Sequence, residues 1–150
     1  MVLRWIVVIV AVVAVACGTG AVSLEDYNTH LVTLPNGYEI RCEIMASPQD
    51  MARGMMFRES LAENRGMLFF HGGPGKYAYW MYQVEIPLDI IWMDGNNRIV
   101  ELSPNTPPCE ETVADLCPDY GGTVDAMVIL ELAAGSIEKH GLRVGQRIQI

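Results

Sequence analysis

Short apolar runs separated by turn residues constrain this chain more than any other feature of it. Tyr38 to Ile44 alternates cleanly, with Cys42 on the apolar side and Glu39, Arg41 and Glu43 on the other. A period of two marks a half-buried strand, because successive strand side chains point to opposite faces. The run His30 to Leu34 precedes it, and Pro35-Asn36-Gly37 stands between the two. Asn-Gly between such runs is a strong hairpin signal, since both residues accept the backbone of a tight turn. Met67 to His71, Tyr77 to Gln83, Leu88 to Asp94, Arg98 to Ser103, Ala126 to Leu132 and Arg147 to Ile150 also read as strands. Ala126 to Leu132 is apolar on both faces and belongs in the centre of its sheet.

Helical signals are brief. Ser47 can cap a helix, Pro48 suits its first position, Asp50 completes the box, and Gly54 can end it about two turns later. Ser136 to His140 is a second short turn, closed by Gly141. About eight closely spaced strands with one or two short helices predict a mainly β, compact sandwich- or barrel-like single domain. Residues 104–122 are expected to form a long irregular loop, which is uncommon unless functional or mobile.

The N-terminus gives the compartment. Arg4 supplies a positive charge, and Ile6 to Ala16 is an unbroken apolar run. That length fits an export h-region of roughly 7–15 residues better than a span of about 20. Ala14-Val15-Ala16-Cys17 is similar to the recognition box of bacterial lipoproteins. On this reading residues 1–16 are a signal peptide, Cys17 is the lipidated first mature residue, 17–28 is a linker, and 29–150 is one globular β domain. A plain signal peptide cut nearby, or a helical anchor running on through Gly18 to Leu24, would leave the same trace. The protein is expected to be exported, and periplasmic or membrane-attached only through this N-terminal anchor.

Charge limits the partners. Removing residues 1–16 takes Arg4 away and leaves 9 basic residues against 18 acidic ones, a net charge of −9. Such a surface repels phosphate backbones and anionic lipid heads, so nucleic acid is not an expected partner. Cys109 and Cys117 lie eight apart in a proline-rich, acidic loop and can close a small ring in an oxidising compartment. No CxxC or histidine pair accompanies them, which disfavours zinc. Cys42 falls on the apolar face of its run and reads as a buried, inert thiol.

GxSxG, HExxH and EF-hand patterns are absent from the chain. Two carboxylates stand out instead. Asp89 shares a strand face with Ile91 and Met93, and Glu131 shares one with Met127 and Ile129. A carboxylate on an apolar face must find hydrogen bonds or a cation, or its pKa rises. Such a pair suits acid/base work or ligand binding; a purely structural use, gripping an arginine or backbone amides, is the commoner fate. Arg58, after an apolar anchor, can fork onto Asp89 or a ligand carboxylate, or simply pair with Glu59 or Glu63. Tyr77, Tyr79, Trp80 and Tyr82 form an aromatic cluster that is core if buried and a stacking platform if exposed. Methionine is plentiful, and thioethers suit Cu(I), although they also fill ordinary cores.

Gly54-Met55-Met56-Phe57-Arg58, Gly66-Met67-Leu68-Phe69-Phe70, Trp80-Met81 and Ile86-Pro87-Leu88-Asp89-Ile90-Ile91 follow one another in that order. Pro107-Pro108-Cys109, Cys117, Tyr120, Val128-Ile129-Leu130-Glu131-Leu132, Ala134-Gly135 and Val144-Gly145 follow. Over about residues 30–150 the chain resembles the domain-of-unknown-function 192 family. That resemblance implies a small, mostly β domain, often exported or attached to the envelope, with no established activity. The family commonly follows its Trp-Met with a basic residue, asparagine and threonine, where Tyr82-Gln83-Val84 stand here.

The expectation is therefore a non-enzymatic envelope domain, without cofactor or metal, that binds a small ligand, glycan or envelope protein near Arg58, Trp80, Asp89 and Glu131. Two alternatives come from other classes: a carbohydrate hydrolase or lyase using Asp89 and Glu131, and soft-metal handling by methionines.

Overall fold

The computed structural model describes residues 28–150; the expected signal peptide, Cys17 and the expected linker up to residue 27 lie outside the described residues. The elements are β1 (Thr29–Thr33), β2 (Glu39–Met45), α1 (Pro48–Arg53), β3 (Arg65–Gly75), β4 (Tyr79–Trp80), β5 (Leu88–Met93), β6 (Ile99–Thr106), a 3-10 turn (Ala114–Leu116), β7 (Asp119–Tyr120), β8 (Ala126–Ala133) and α2 (Ser136–His140). Six strands form one sheet in the order β1-β2-β3-β8-β5-β6, and β4 pairs with β7 in a separate ribbon. The mainly β expectation holds, and the apolar strand β8 does lie inside the sheet, between β3 and β5.

The β1–β2 hairpin turns at Asn36-Gly37, with Gly37 at φ 85°. Helix α1 starts where the cap residues place it: Ser47 Oγ accepts from the Asp50 N–H at 3.1 Å, and Pro48 opens the helix. This helix sits in the connection between β2 and β3, which pair in parallel. A parallel pair needs a crossover, and α1 with the following loop provides it.

Three sequence expectations change. The strand expected over Tyr77 to Gln83 shrinks to the two residues of β4. The loop expected over residues 104–122 instead holds the end of β6, the 3-10 turn and β7, fastened by a Cys109–Cys117 disulfide. Residues 147–150 form isolated bridges and no regular strand. Their role is nonetheless clear. Gln149 exchanges backbone hydrogen bonds with Thr33 on edge strand β1 at 2.9 and 3.0 Å. On the side of β6, the Ile148 N–H donates to Asn97 and the Ile99 N–H donates to Gln146. The sheet is not a closed barrel; this terminal strap bonds to the end of β1 and to the start of β6, the two edge strands.

Two apolar cores result, one on each face. The first gathers Ile40, Cys42, Leu68, Ile91, Leu130 and Leu132 under α2 and the strap. The second gathers Met67, Phe69, Ile90, Trp92 and Ile129 under Met55 and Met81 from the loops. Strand β5 is buried at all six positions because it serves both.

Candidate functional site

Asp89 belongs to the first face. Its side chain is fully buried, and both oxygens are taken: Oδ1 accepts from the Asn105 N–H at 2.7 Å and Oδ2 from the Ile137 N–H at 2.6 Å. Ile137 lies in the first turn of α2, whose N–H groups lack partners within the helix. The carboxylate thus ties β5 to β6 and α2, which is a scaffolding use.

Glu131 belongs to the second face. On the paired strands, Asp89 lies opposite Leu132 and Ile90 opposite Glu131. Adjacent register positions point to opposite sides of a sheet, so the sheet separates the two carboxyl groups. The expected acid/base pair is not assembled.

Arg58 pairs with neither Asp89 nor Glu59 nor Glu63. Its guanidinium forks onto Glu43, with Nη1 to Oε1 at 2.6 Å and Nη2 to Oε2 at 2.7 Å. Glu63 pairs with Lys139 instead, at 2.6 Å. The parallel register explains Glu43: it stands beside Met67, which stands beside Glu131. Glu43, Met67, Glu131 and Ile90 form one row across the second face. Two strand spacings put Glu43 roughly 10 Å from Glu131 at the backbone, with Arg58 close enough to act on both.

Glu131 lines a cavity of about 250 Å³. Its walls are Met51, Met55, Met56, Phe69, Tyr79 and Val84, with His71 and Tyr82 beside them and Trp80 at the rim. Trp80 is exposed and inclined against Tyr82, ring centroids 5.8 Å apart. A second, charged cavity lined by Asp50, Arg53, Phe57 and Arg58 adjoins it, and the two share Arg53, Gly54 and Met56.

The electrostatics of the first cavity are unusual. Glu131 is 4% exposed, and its Oε2 is buried without a hydrogen-bond partner. Burial pushes its carboxyl up to about 8, with the Arg58 cation pulling the other way. Burial and the nearby Glu131 raise the Tyr79 phenol well above its ordinary range. Burial holds the His71 ring below its usual value. His71 stacks on Tyr77, centroids 3.5 Å apart, and its Nε2 lies 3.2 Å from Tyr79 Oη. With its carboxyl raised in this way, Glu131 is neutral and able to donate near pH 7.

The loops that roof the cavity are tightly specified. Phe57 and Gln83 both adopt positive φ, 63° and 55°, and the Phe57 N–H donates to the Gln83 carbonyl at 2.8 Å. Such a backbone is strained for a bulky residue. The departure at Tyr82-Gln83-Val84 thus falls on the roof itself: Tyr82 and Val84 line the cavity while Gln83 makes the turn. Gly122 lets β7 return beside β4, since a Cβ there would meet the Ala78 nitrogen at 2.6 Å.

Glu43 is not among the residues the sequence singles out as a site, whereas His71, with Trp80 and Met81, is a possible soft-metal donor there. The alternation of β2 places Glu43 away from Cys42, but nothing local announces its neighbour Met67. Among the described residues no group of three or more His, Cys, Asp or Glu is placed to hold a metal ion. Met51, Met55, Met56 and His71 are the lining residues with soft-donor chemistry.

A family model, DUF192, described as an uncharacterized ACR, matches residues 31–150. A protein of unknown function from Novosphingobium aromaticivorans DSM 12444 is similar in structure, with a TM-score of 0.68 and 27% identity over 80% of this chain and 82% of its own. A protein from Sinorhizobium meliloti 1021, described as a "putative transcription regulator", has a TM-score of 0.68 and 25% identity over 79% of this chain and 89% of its own. No curated protein matches the chain.

Proposed function

The chain belongs to the DUF192 family, and from that premise we propose that it is an exported, non-enzymatic domain that binds a small ligand in the cavity beneath Trp80. One observation carries this reading: an apolar cavity of about 250 Å³ holds a buried carboxyl oxygen without a hydrogen-bond partner. Buried polar groups are ordinarily satisfied, and an orphan costs about 1–3 kcal/mol. A concave, mostly apolar pocket with a few convergent polar groups is the usual form of a small-molecule site.

Export rests on the sequence of residues 1–17 and is supported by the Cys109–Cys117 disulfide, which fits an oxidising compartment. Cys17 is the proposed lipid anchor. The formal net charge of −8 disfavours nucleic acid as a partner.

The test is a ligand-observed NMR screen of small polar and aromatic fragments against the mature protein. Saturable binding is expected, and it should weaken in Ala52→Trp, which adds an indole at a lining position on α1. Binding unchanged by both Ala52→Trp and Trp80→Ala would place the site elsewhere.

The meeting of Met51, Met55, Met56 and His71 in the cavity favours one second reading, Cu(I) binding. It requires Cu(I) to raise the melting temperature, and His71→Ala to abolish the rise.

A further inference from the structure

We propose that the cavity receives a small organic cation, a quaternary or primary ammonium group seated against Glu131 Oε2 and faced by Phe69, Tyr79 and Trp80. This deepens the ligand-binding reading above and rests on it; what it adds is the charge of the ligand.

The missing partner of Oε2 fixes the first requirement. A buried carboxyl oxygen without any hydrogen-bond partner is completed, once the group ionises, by a donor or a positive charge. The protein's own cations do not supply it. Arg58 is engaged through both terminal nitrogens with Glu43. Arg53 lies at the exposed rim.

The walls fix the second requirement. Aromatic faces carry negative quadrupole potential and attract cations within about 6 Å of the ring centre. Three rings and three polarizable methionines line the same cavity as one acid, which suits a greasy cation better than a strongly hydrated metal ion. An anion would oppose the ionisation of that carboxyl group. A neutral ligand would gain nothing from its ionisation. The excess of 18 acidic over 10 basic residues raises the local cation concentration further.

Proton balance makes the inference measurable. The empty site holds the Glu131 proton up to about pH 8. A bound ammonium favours the carboxylate, so the proton leaves to solvent as the cation enters. The titratable and charged groups on the side of Glu131 are Glu43 from β2, in the same row, Arg53 from α1, Arg58 from the loop after it, His71 from β3, and Tyr79 and Tyr82 from β4 and its end. Tyr79 stays protonated, because its phenol is raised. His71 stays neutral above its lowered value, so Glu131 is the group that changes.

The experiment is calorimetry of the mature protein with choline, butylamine, butyrate and 3,3-dimethylbutan-1-ol, the uncharged isostere of choline. Titrations run from pH 6 to 9 in two buffers of different ionisation enthalpy. The expected result is that the cations bind at least tenfold tighter than the isostere and release about one proton at pH 7. Their affinity should rise about tenfold per pH unit below 8 and level off above it. Glu131→Gln, checked for folding by its melting curve, should lose both the preference and the proton release. Trp80→Ala, a rim change that leaves the core intact, should weaken the cations about tenfold. Equal binding of the isostere or tighter binding of butyrate overturns the cation assignment, cation binding without proton release overturns its seat on Glu131, and each leaves the cavity a ligand site. Absence of binding by all four probes overturns the cation assignment, and failure of the fragment screen as well overturns the ligand reading.

Discussion

Asp89 and Glu131 stand one register position apart on neighbouring strands, yet they face opposite sides of the sheet. Both are buried carboxyl groups, and their surroundings assign them opposite tasks. Asp89 has two backbone amides at 2.7 and 2.6 Å. Glu131 keeps an oxygen with no partner.

Asp89→Asn should therefore destabilise the protein. An amide in its place keeps one acceptor and turns a donor toward the other backbone N–H. Hydrogen bonds to charged groups are worth about 1.5–3 kcal/mol each. For a domain of this size the melting temperature should fall by about ten degrees or more. A thermal melt of the folded variant checks this; an unchanged midpoint would contradict the scaffolding role.

Glu131 should make stability fall as pH rises. Its folded value of about 8 lies above the ordinary 4.5, so between these limits the native state holds a proton that the unfolded state has released. The contribution is present below about 4.5, declines through the interval and is flat above about 8. Glu131→Gln should melt above the wild type at pH 8 and match it near pH 4. Melting curves across that range give the result directly.

The Arg58–Glu43 fork is 35% and 37% exposed, so its loss should cost no more than about 1 kcal/mol. Its influence on Glu131 should be easier to see. Arg58→Ala removes the cation that opposes the rise, so the Glu131 carboxyl should titrate at higher pH than in the wild type. Carbon-detected NMR titration of the glutamate side chains resolves the change.

Reducing Cys109–Cys117 should act on the roof. Opening a ring of this length removes about 2–3 kcal/mol of loop-closure stabilisation. Strand β7 sits just past Cys117 and pairs with β4 through Tyr79–Tyr120 and Trp80–Asp119. Cys109→Ser with Cys117→Ser should lower the melting temperature and increase the exposure of Trp80 to an aqueous quencher. Cys42 should stay unreactive toward thiol reagents in the same samples, since burial pushes its thiol up to about 12.

Much of this molecule is local in origin. The period of two along Tyr38 to Ile44 places Cys42 inward, Asn36-Gly37 makes the hairpin, and Ser47-Pro48 starts α1. The spacing of Cys109 and Cys117 permits their ring. The same period places Asp89 with Ile91 and Met93, and Glu131 with Ile129. Each of these follows from backbone geometry within a few residues, which sequence alone determines. Whether Asp89 and Glu131 share a side is a different matter. It depends on the pairing register of β5 with β8, set by contacts across more than forty positions. The parallel pairing of β2 with β3 likewise decides that Glu43, and not Glu59 or Glu63, receives Arg58. The cavity arises only when Met55 and Met56 are carried over the second face and β7 pairs with β4 beside Trp80. Side-chain alternation is fixed strand by strand, but the partner of each strand is chosen by the packing of the whole domain, and that choice left Asp89 satisfied and Glu131 not.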